Sequence, residues 1–227
     1  MIRVKNLAKH FGGVYAVKDC SFDIKPGKIT SVIGPNGAGK TTMFNLVCNI
    51  ISADDGSVYF KKENITRLPT HKIARVGISR TFQQARLFKN LTVKENLTIS
   101  RPCSEKEIRD VLEKVAFKLP IDTKGSALSY GQMRLLEIAR ALLHPHELLM
   151  LDEPTAGVNP SVRQELKKIL KQLNKEGKTI MFIEHDMDFV MSISDEVIVM
   201  AEGRVLMRGT PKQVQKDKRV LEAYLGK

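Results

Sequence analysis

Gly34-Pro35-Asn36-Gly37-Ala38-Gly39-Lys40-Thr41-Thr42 is the stretch whose reading decides the fold. Before it runs Ile29-Thr30-Ser31-Val32-Ile33, apolar and β-branched. After it runs Met43-Phe44-Asn45-Leu46-Val47-Cys48, a mixed apolar segment that can form a helix. A glycine-rich loop between a strand and a helix, with Lys-Thr at its end, is the arrangement that cradles a phosphate chain. Glycine permits the backbone to wrap closely. The loop N–H groups and the positive end of the following helix then favour an anion. In such a loop Lys40 reaches the β- and γ-phosphates, the Thr41 hydroxyl holds Mg²⁺, and Thr42 adds a contact to the α-phosphate.

Working outward, residues 1–26 carry short alternating runs that end at the Pro26-Gly27 turn, and they predict a mostly antiparallel β region. Phe11 precedes Gly12-Gly13. Taken locally it is a core residue rather than an exposed ring for stacking on a base. Downstream, Ser57–Phe60 predicts a strand, His71–Arg75 a short helix, and Val76–Phe82 a strand that runs into Gln83. A polar residue just past a buried strand faces a cleft, so Gln83 is a candidate for metal or water contact. Residues 87–139 predict a less regular helical region. Within it, Thr92 and Glu95 form a capping box, and Glu105–Val115 places Ile108, Val111, Leu112 and Val115 on one face.

Leu128-Ser129-Tyr130-Gly131-Gln132 leads into a helix, Met133–Leu143. Ser129 and Gly131 at its mouth form either a second anion-binding device or an ordinary cap. Leu148-Leu149-Met150-Leu151 predicts a central parallel strand buried on both faces. Asp152 and Glu153 stand at its C-terminal end, where sites lie in open α/β sheets. Adjacent strand side chains point opposite ways, so Asp152 can hold the Mg²⁺ shell through water while Glu153 faces the attacking water. After an amphipathic helix, Ser161–Leu173, comes another buried strand, Lys178–Ile183, and then His185. A short helix (188–194), a hairpin around Glu202-Gly203, and one or two surface helices (211–225) complete the chain.

A chain of 227 residues holds one sizeable core or a core plus a subdomain. Mean hydropathy is −0.18. No window holds the ~18 uncharged apolar residues of a membrane span. The first residues lack the apolar core of a signal peptide, which predicts a cytoplasmic protein. Three separated cysteines, Cys20, Cys48 and Cys103, exclude a disulfide framework or a zinc cluster. The net charge of +12 suits an anionic partner, whether nucleic acid or an anionic membrane leaflet, or else a solvated lysine-rich surface. No recognition helix or aromatic–basic stripe accompanies it, so nucleic acid is not expected.

Taken in order and spacing, Gly34–Thr41, Gln83, Leu128–Gln132, Leu148–Glu153 and His185 resemble the ATP-binding-cassette (ABC) ATPases over essentially the whole chain. Within them the chain looks most like the LivG type of branched-chain amino acid importers. That likeness rests on Gly77–Gln83, Leu87–Val93, Leu135–Leu142 and Asp152–Pro160, with Tyr130 and Asn159 as further points.

The resemblance implies a P-loop, RecA-like α/β fold. Residues 1–86 and 140–227 would form a mainly parallel sheet flanked by helices with an N-terminal antiparallel β subdomain. Residues 87–139 would form a helical signature subdomain. It implies ATP and Mg²⁺ as ligands, Phe11 stacking on adenine (against the local reading), Gln83 joining Mg²⁺ and water to the transporter contact, Glu153 as catalytic base and His185 as γ-phosphate switch. Ser129, Tyr130, Gly131 and Gln132 would contact ATP held by the opposite protomer of a head-to-tail dimer.

The implied partners are a second ATPase subunit, LivF-like or a second copy, two membrane-spanning permease subunits, and indirectly a substrate-binding protein. The chain would then lie peripherally on the cytoplasmic face of the membrane, with residues 83–93 forming the groove for a permease helix. Only 45 residues separate Gln83 from Ser129, fewer than the LivG type usually carries. The alternatives are another cargo (urea, other amino acids, exported lipid) or a non-transport ABC protein acting on ribosomes or DNA.

Overall fold

The computed structural model describes residues 1–84, 86–99 and 101–225. Ala85 of the expected groove, Ser100 of the expected helical subdomain, and residues 226–227 lie outside the described residues. The strands are β1 (Ile2–Phe11), β2 (Val14–Ile24), β3 (Ile29–Ile33), β4 (Asp55–Phe60), β5 (Glu63–Asn64), β6 (Ile78–Arg80), β7 (Leu148–Asp152), β8 (Thr179–Ile183), β9 (Glu196–Ala201) and β10 (Arg204–Gly209). The helices are α1 (Lys40–Val47), α2 (Thr70–Arg75), α3 (Val93–Thr98), α4 (Glu105–Lys114), α5 (Tyr130–Leu143), α6 (Pro160–Lys175), α7 (Met187–Ile193), α8 (Pro211–Lys216) and α9 (Lys218–Leu225).

The central sheet has the order β10-β9-β3-β8-β7-β6, parallel except for the β9–β10 hairpin. Its strands read as unbroken apolar runs because both faces are covered. Alternation sorts their side chains between two cores. Leu149, Leu151, Ile180, Phe182, Val197 and Val199 face the layer of α4, α5 and α6. Leu148, Met150, Met181, Ile183, Ile198 and Met200 face α1 and the second sheet. That second sheet, β2-β1-β4-β5, is antiparallel throughout. The fold is thus the expected mainly parallel α/β core with an antiparallel β layer.

Several boundaries differ from the sequence reading. The helix after the phosphate loop starts at Lys40, three residues before the apolar run, because Gly39 in left-handed conformation (φ 92°) turns the chain directly into it. The strand expected over 76–82 shrinks to β6, because Val76 still closes α2 and Gly77 has φ 110°. The tail forms two short helices, within the expected one or two, and Asp217 between them accepts from the Arg219 N–H. Phe11 is 53% exposed at the tip of the β1–β2 hairpin, so the local reading of a core residue is wrong. Alternation along β1 predicts its exposure no better, because the β1–β2 register shifts at three places.

In the helical region, Thr92 and Glu95 make the expected capping box at α3, and Ser104 with Glu107 makes another at α4. Buried Asn96 holds the loop before α3, bonding both Phe88 N–H and C=O and the carbonyls of Leu91 and Thr92. The Ser104 N–H, the Arg101 guanidinium and the Ser104 hydroxyl together hold the Glu107 carboxyl down at about 2, from an ordinary 4.5. A lowered carboxylate contributes stability that is present above its unfolded value and is lost on acidification. The thermal stability gap between wild type and Glu107→Gln is therefore expected to hold above pH 4.5 and to close as pH falls toward 2. A gap that persists at the acid end would show that charge plays no part in this cap.

Candidate active site

The C-terminal ends of β3, β8 and β7 lie side by side, so the turns that follow them meet. The turn after β3 is the phosphate loop. The turn after β7 carries Glu153 and the turn after β8 carries His185. A cavity of about 330 Å³ is lined here by Ala16, residues 36–42, Glu153 and His185. This places Asn36, Gly37, Ala38, Gly39, Lys40, Thr41 and Thr42 in one cleft with both polar residues. Gly34 and Pro35 lead into it. A Cβ on Gly34 would strike the Met200 carbonyl at the end of β9, and one on Gly39 would strike the Ala16 carbonyl in β2. The loop is therefore braced by strands from both sheets, and glycine is required where they approach. Gly203 in the β9–β10 turn adds a backbone bond to Ala38 O at 3.2 Å.

Lys40 is 6% exposed and folds back over its own loop, donating to Gly34 O at 2.8 Å and Pro35 O at 2.9 Å. Burial pulls its pKa below the ordinary lysine value, while Glu153 and Asp152 oppose that shift. Thr41 and Thr42, in the first turn of α1, also line the cavity.

Asp152 and Glu153 have different partners: Asp152 is the last residue of β7, and Glu153 follows it with the chain already leaving the strand. Asp152 is 1% exposed and turns to Arg80 at the end of β6, with Nη2 to Oδ2 at 3.3 Å. Burial raises the Asp152 carboxyl above the ordinary aspartate value, and Arg80 works against that. Its Oδ1 is buried and has no hydrogen-bond partner. Arg80 was not singled out from the sequence. It reads there as one more basic residue, and only the β6–β7 pairing (Arg80 opposite Met150) brings it beside Asp152.

Glu153 accepts from Gln83 Nε2 at 2.9 Å through Oε2 and meets His185 Nε2 at 2.9 Å through Oε1. Two residues from segments that follow different strands, Gln83 and His185, thus converge on the Glu153 carboxylate. The Glu153 backbone is left-handed (φ 48°), an uncommon conformation for a residue with a Cβ, of the kind that collects at functional positions. A further carboxylate, Glu184, secures these turns. Its Oε1 accepts from the Thr155 N–H and hydroxyl, both at 2.7 Å, and its Oε2 from the His185 N–H at 3.1 Å. Adjacent to His185 in sequence, it carries no signal of this role; only the meeting of two turns reveals it.

Ser129, Tyr130, Gly131 and Gln132 are not brought to this cavity. They form the start of α5, where Ser129 and Gln132 make a reciprocal capping box. Tyr130 packs at Gly157, and Gly131 sits against Val162, where a Cβ would meet its methyl groups. Phe11 does not line the cavity either; the Lys9 ammonium lies 5.5 Å from its ring centroid. From α9, Tyr224 reaches back to the Gly34 backbone, a contact no local pattern announces.

A family model described as ABC transporter matches residues 17–156, and one described as branched-chain amino acid ATP-binding cassette transporter matches residues 204–227. The chain is 39% identical to the high-affinity branched-chain amino acid transport ATP-binding protein BraF of Pseudomonas aeruginosa and 38% identical to LivG of Escherichia coli. Each alignment covers 100% of this chain and 98% of the relative. Both alignments run over 249 positions against 227 residues, so these relatives carry residues that this chain lacks.

Among solved structures, a nucleotide-free ATP-binding cassette from an ABC transporter superposes with TM-score 0.92 at 33% identity, covering 100% of this chain and 99% of that one. The ADP conformation of such a cassette gives 0.91 at 33% identity over 100% and 99%. A dimeric bacterial ABC transporter cassette gives 0.84 at 28% identity over 93% and 99%. With the phosphate loop, the strand-end carboxylates and these likenesses in agreement, the chain belongs to the ATP-binding proteins of ABC transporters, nucleotide-binding ATPases, and within them to the branched-chain amino acid group.

Proposed function

We propose that this chain is the ATPase subunit of an importer that takes up branched-chain amino acids, and that the cleft between the phosphate loop and Glu153 is its hydrolytic centre. The observation that carries the chemistry is the meeting of Gln83, Glu153 and His185 at the mouth of the loop. Glu153 is held by an amide on one side and an imidazole on the other, which fixes a carboxylate to take a proton from water. The loop N–H groups, Lys40 and the N-terminal end of α1 bind the phosphates.

The donors present fit Mg²⁺. Thr41, which lines the cavity, carries a hydroxyl, Asp152 has a buried and unpartnered carboxylate oxygen, and Gln83 an amide oxygen, all hard ligands. Among the described residues no cluster of three or more His, Cys, Asp or Glu could hold a metal by itself. That suits a cation bound through one or two side chains, water and substrate phosphates. When bound, Mg²⁺ neutralises charge on the transferred phosphoryl group. Asp152 would act on it through water, and Arg80 keeps that carboxylate in place.

The separation of Ser129–Gln132 from the cavity supports a head-to-tail dimer in which this segment completes the partner's site. Dimeric cassettes are known among the similar structures. Among the described residues no helix is long and apolar enough to cross a membrane. In this reading the chain lies peripherally against permease subunits, with exposed Phe88 within the stretch 83–93 that would receive them. The cargo reading rests on the match over residues 204–227 and the full-length likeness to LivG and BraF.

The test is capture of tagged Glu153→Gln protein from its own host with MgATP in detergent, and identification of what comes with it. Two polytopic membrane proteins, a second ATPase and an associated amino-acid-binding protein are expected. Ribosomal proteins or nucleic acid in their place would mean a non-transport ATPase.

A further inference from the structure

We infer that Arg134 and Glu137, a buried ion pair on α5, are positioning residues that hold Gln83 against Glu153 and tie that contact to the start of the same helix; this rests on the reading of Gln83 and Glu153 above. Arg134 is 1% exposed and Glu137 3%. The two pair at 3.1 Å, one turn apart. Neither is turned to a purely internal use. Arg134 Nη1 donates to Phe82 O at 2.7 Å, and its Nη2 donates to Gln83 O. Glu137 accepts from the Phe82 N–H at 3.4 Å and from the Arg86 backbone. One further turn along α5, Arg140 donates to Arg86 O at 2.8 Å. A single helix therefore holds the irregular segment after β6 by its backbone at three residues.

Stability alone does not account for this arrangement. Burying two charges costs several kcal/mol, and an apolar pair of similar volume commonly serves a core as well or better. The Arg134 Nε also remains buried without a partner. What the guanidinium supplies that an apolar side chain cannot is a planar fork spanning two consecutive carbonyls. Those carbonyls belong to the residue that touches Glu153 and to its neighbour.

The other side of the clamp points at Tyr130. Its ring centroid lies 5.3 Å from the Arg134 guanidinium, and its edge packs at Gly157, four residues past Glu153. A closed path results: Glu153 to Gln83, Gln83 to Arg134, Arg134 to Tyr130, and Tyr130 back to the turn after Glu153. A displacement of the start of α5, such as a nucleotide seated on Ser129–Gln132 would bias, is carried to the Gln83 amide through groups with few alternative packings.

The test is a double-mutant cycle on single-turnover MgATP hydrolysis by the full chain, with TNP-ATP affinity measured in parallel. Arg134→Lys keeps the buried charge beside Glu137 but cannot span both carbonyls. It is expected to lower the hydrolysis rate by up to about 10²-fold, the scale of a misplacement near 1 Å. TNP-ATP affinity is expected to be unchanged. In a Gln83→Ala background the same substitution is expected to cost little more, because its effect passes through Gln83.

The neutral pair Arg134→Gln/Glu137→Gln is the second variant, with the same non-additivity expected. Losses that multiply independently in the two backgrounds, an Arg134→Lys rate equal to wild type, or affinity falling together with rate would each overturn the clamp. If Gln83→Ala alone leaves hydrolysis unchanged, the role of Gln83 fails first and the clamp falls with it.

Discussion

Glu153→Gln is expected to lower ATP hydrolysis by about 10²–10⁴-fold, the usual contribution of a positioned general base, while ATP binding persists. The substitution keeps the size of the side chain and its two hydrogen-bonding atoms. It removes the negative charge, and with it the ability to accept a proton from water at neutral pH. Its neighbours survive the change: an amide can still meet Gln83 at one atom and His185 at the other. The phosphate loop lines the same cavity; with its own N–H groups and Lys40 as the proposed anion ligands, binding is expected to persist without the Glu153 charge. With the γ-phosphate placed as proposed, removing the carboxylate would also relieve a like-charge contact and favour a persistent ATP-bound state. Single-turnover hydrolysis and TNP-ATP titration on the same preparation separate the two quantities. Hydrolysis at the wild-type rate would remove Glu153 from the chemistry.

Lys40→Ala is expected to weaken ATP binding itself, by about ten- to a hundredfold, rather than only the rate. A hydrogen bond to a charged group contributes about 1.5–3 kcal/mol, and each 1.4 kcal/mol is tenfold in affinity. Lys40 has a second task. Its ammonium bonds the Gly34 and Pro35 carbonyls, so it organises the loop that presents the N–H groups. Alanine leaves those carbonyls without that donor and loosens the cradle, and both effects act in one direction. Burial already disfavours the lysine charge, and the carboxylates of Glu153 and Asp152 sustain it. A phosphate chain in the cleft would sustain it further. Titration of TNP-ATP, with ATP as competitor, measures the loss. An affinity equal to wild type would count against Lys40 as a phosphate ligand.

The segments easiest to read from sequence were those whose local chemistry admits one outcome. The β7 run Leu148–Leu151 is apolar at every position, as a strand covered on both faces requires, and it lies between β8 and β6. Thr92 with Glu95 announced a cap, because the reciprocal bonds involve residues three apart. Boundaries that depend on a single backbone torsion were less legible. The early start of α1 and the short β6 each follow from a left-handed glycine whose conformation its neighbours impose. Phe11 was misjudged for a related reason. Its exposure depends on the bulges of β1, which are long-range pairing events.

What the sequence by itself determined about this protein was the phosphate loop in its strand–loop–helix setting, the carboxylates at the end of β7, the histidine after β8, and hence the family and its nucleotide chemistry. These are local signals: a loop that needs glycine, a strand that needs apolar residues, a charge that stands where a strand ends. Only the tertiary structure decided which side chains act on one another. It put Arg80 on Asp152, Glu184 on Thr155, and Arg134 on the backbone of Gln83, pairs separated by 72, 29 and 51 residues. The physical reason is that a charged residue in sequence carries no sign of its partner. Charges are buried only where the folded chain brings a counter-charge or a carbonyl within reach, and the parallel sheet does so by aligning strand ends that lie far apart along the chain.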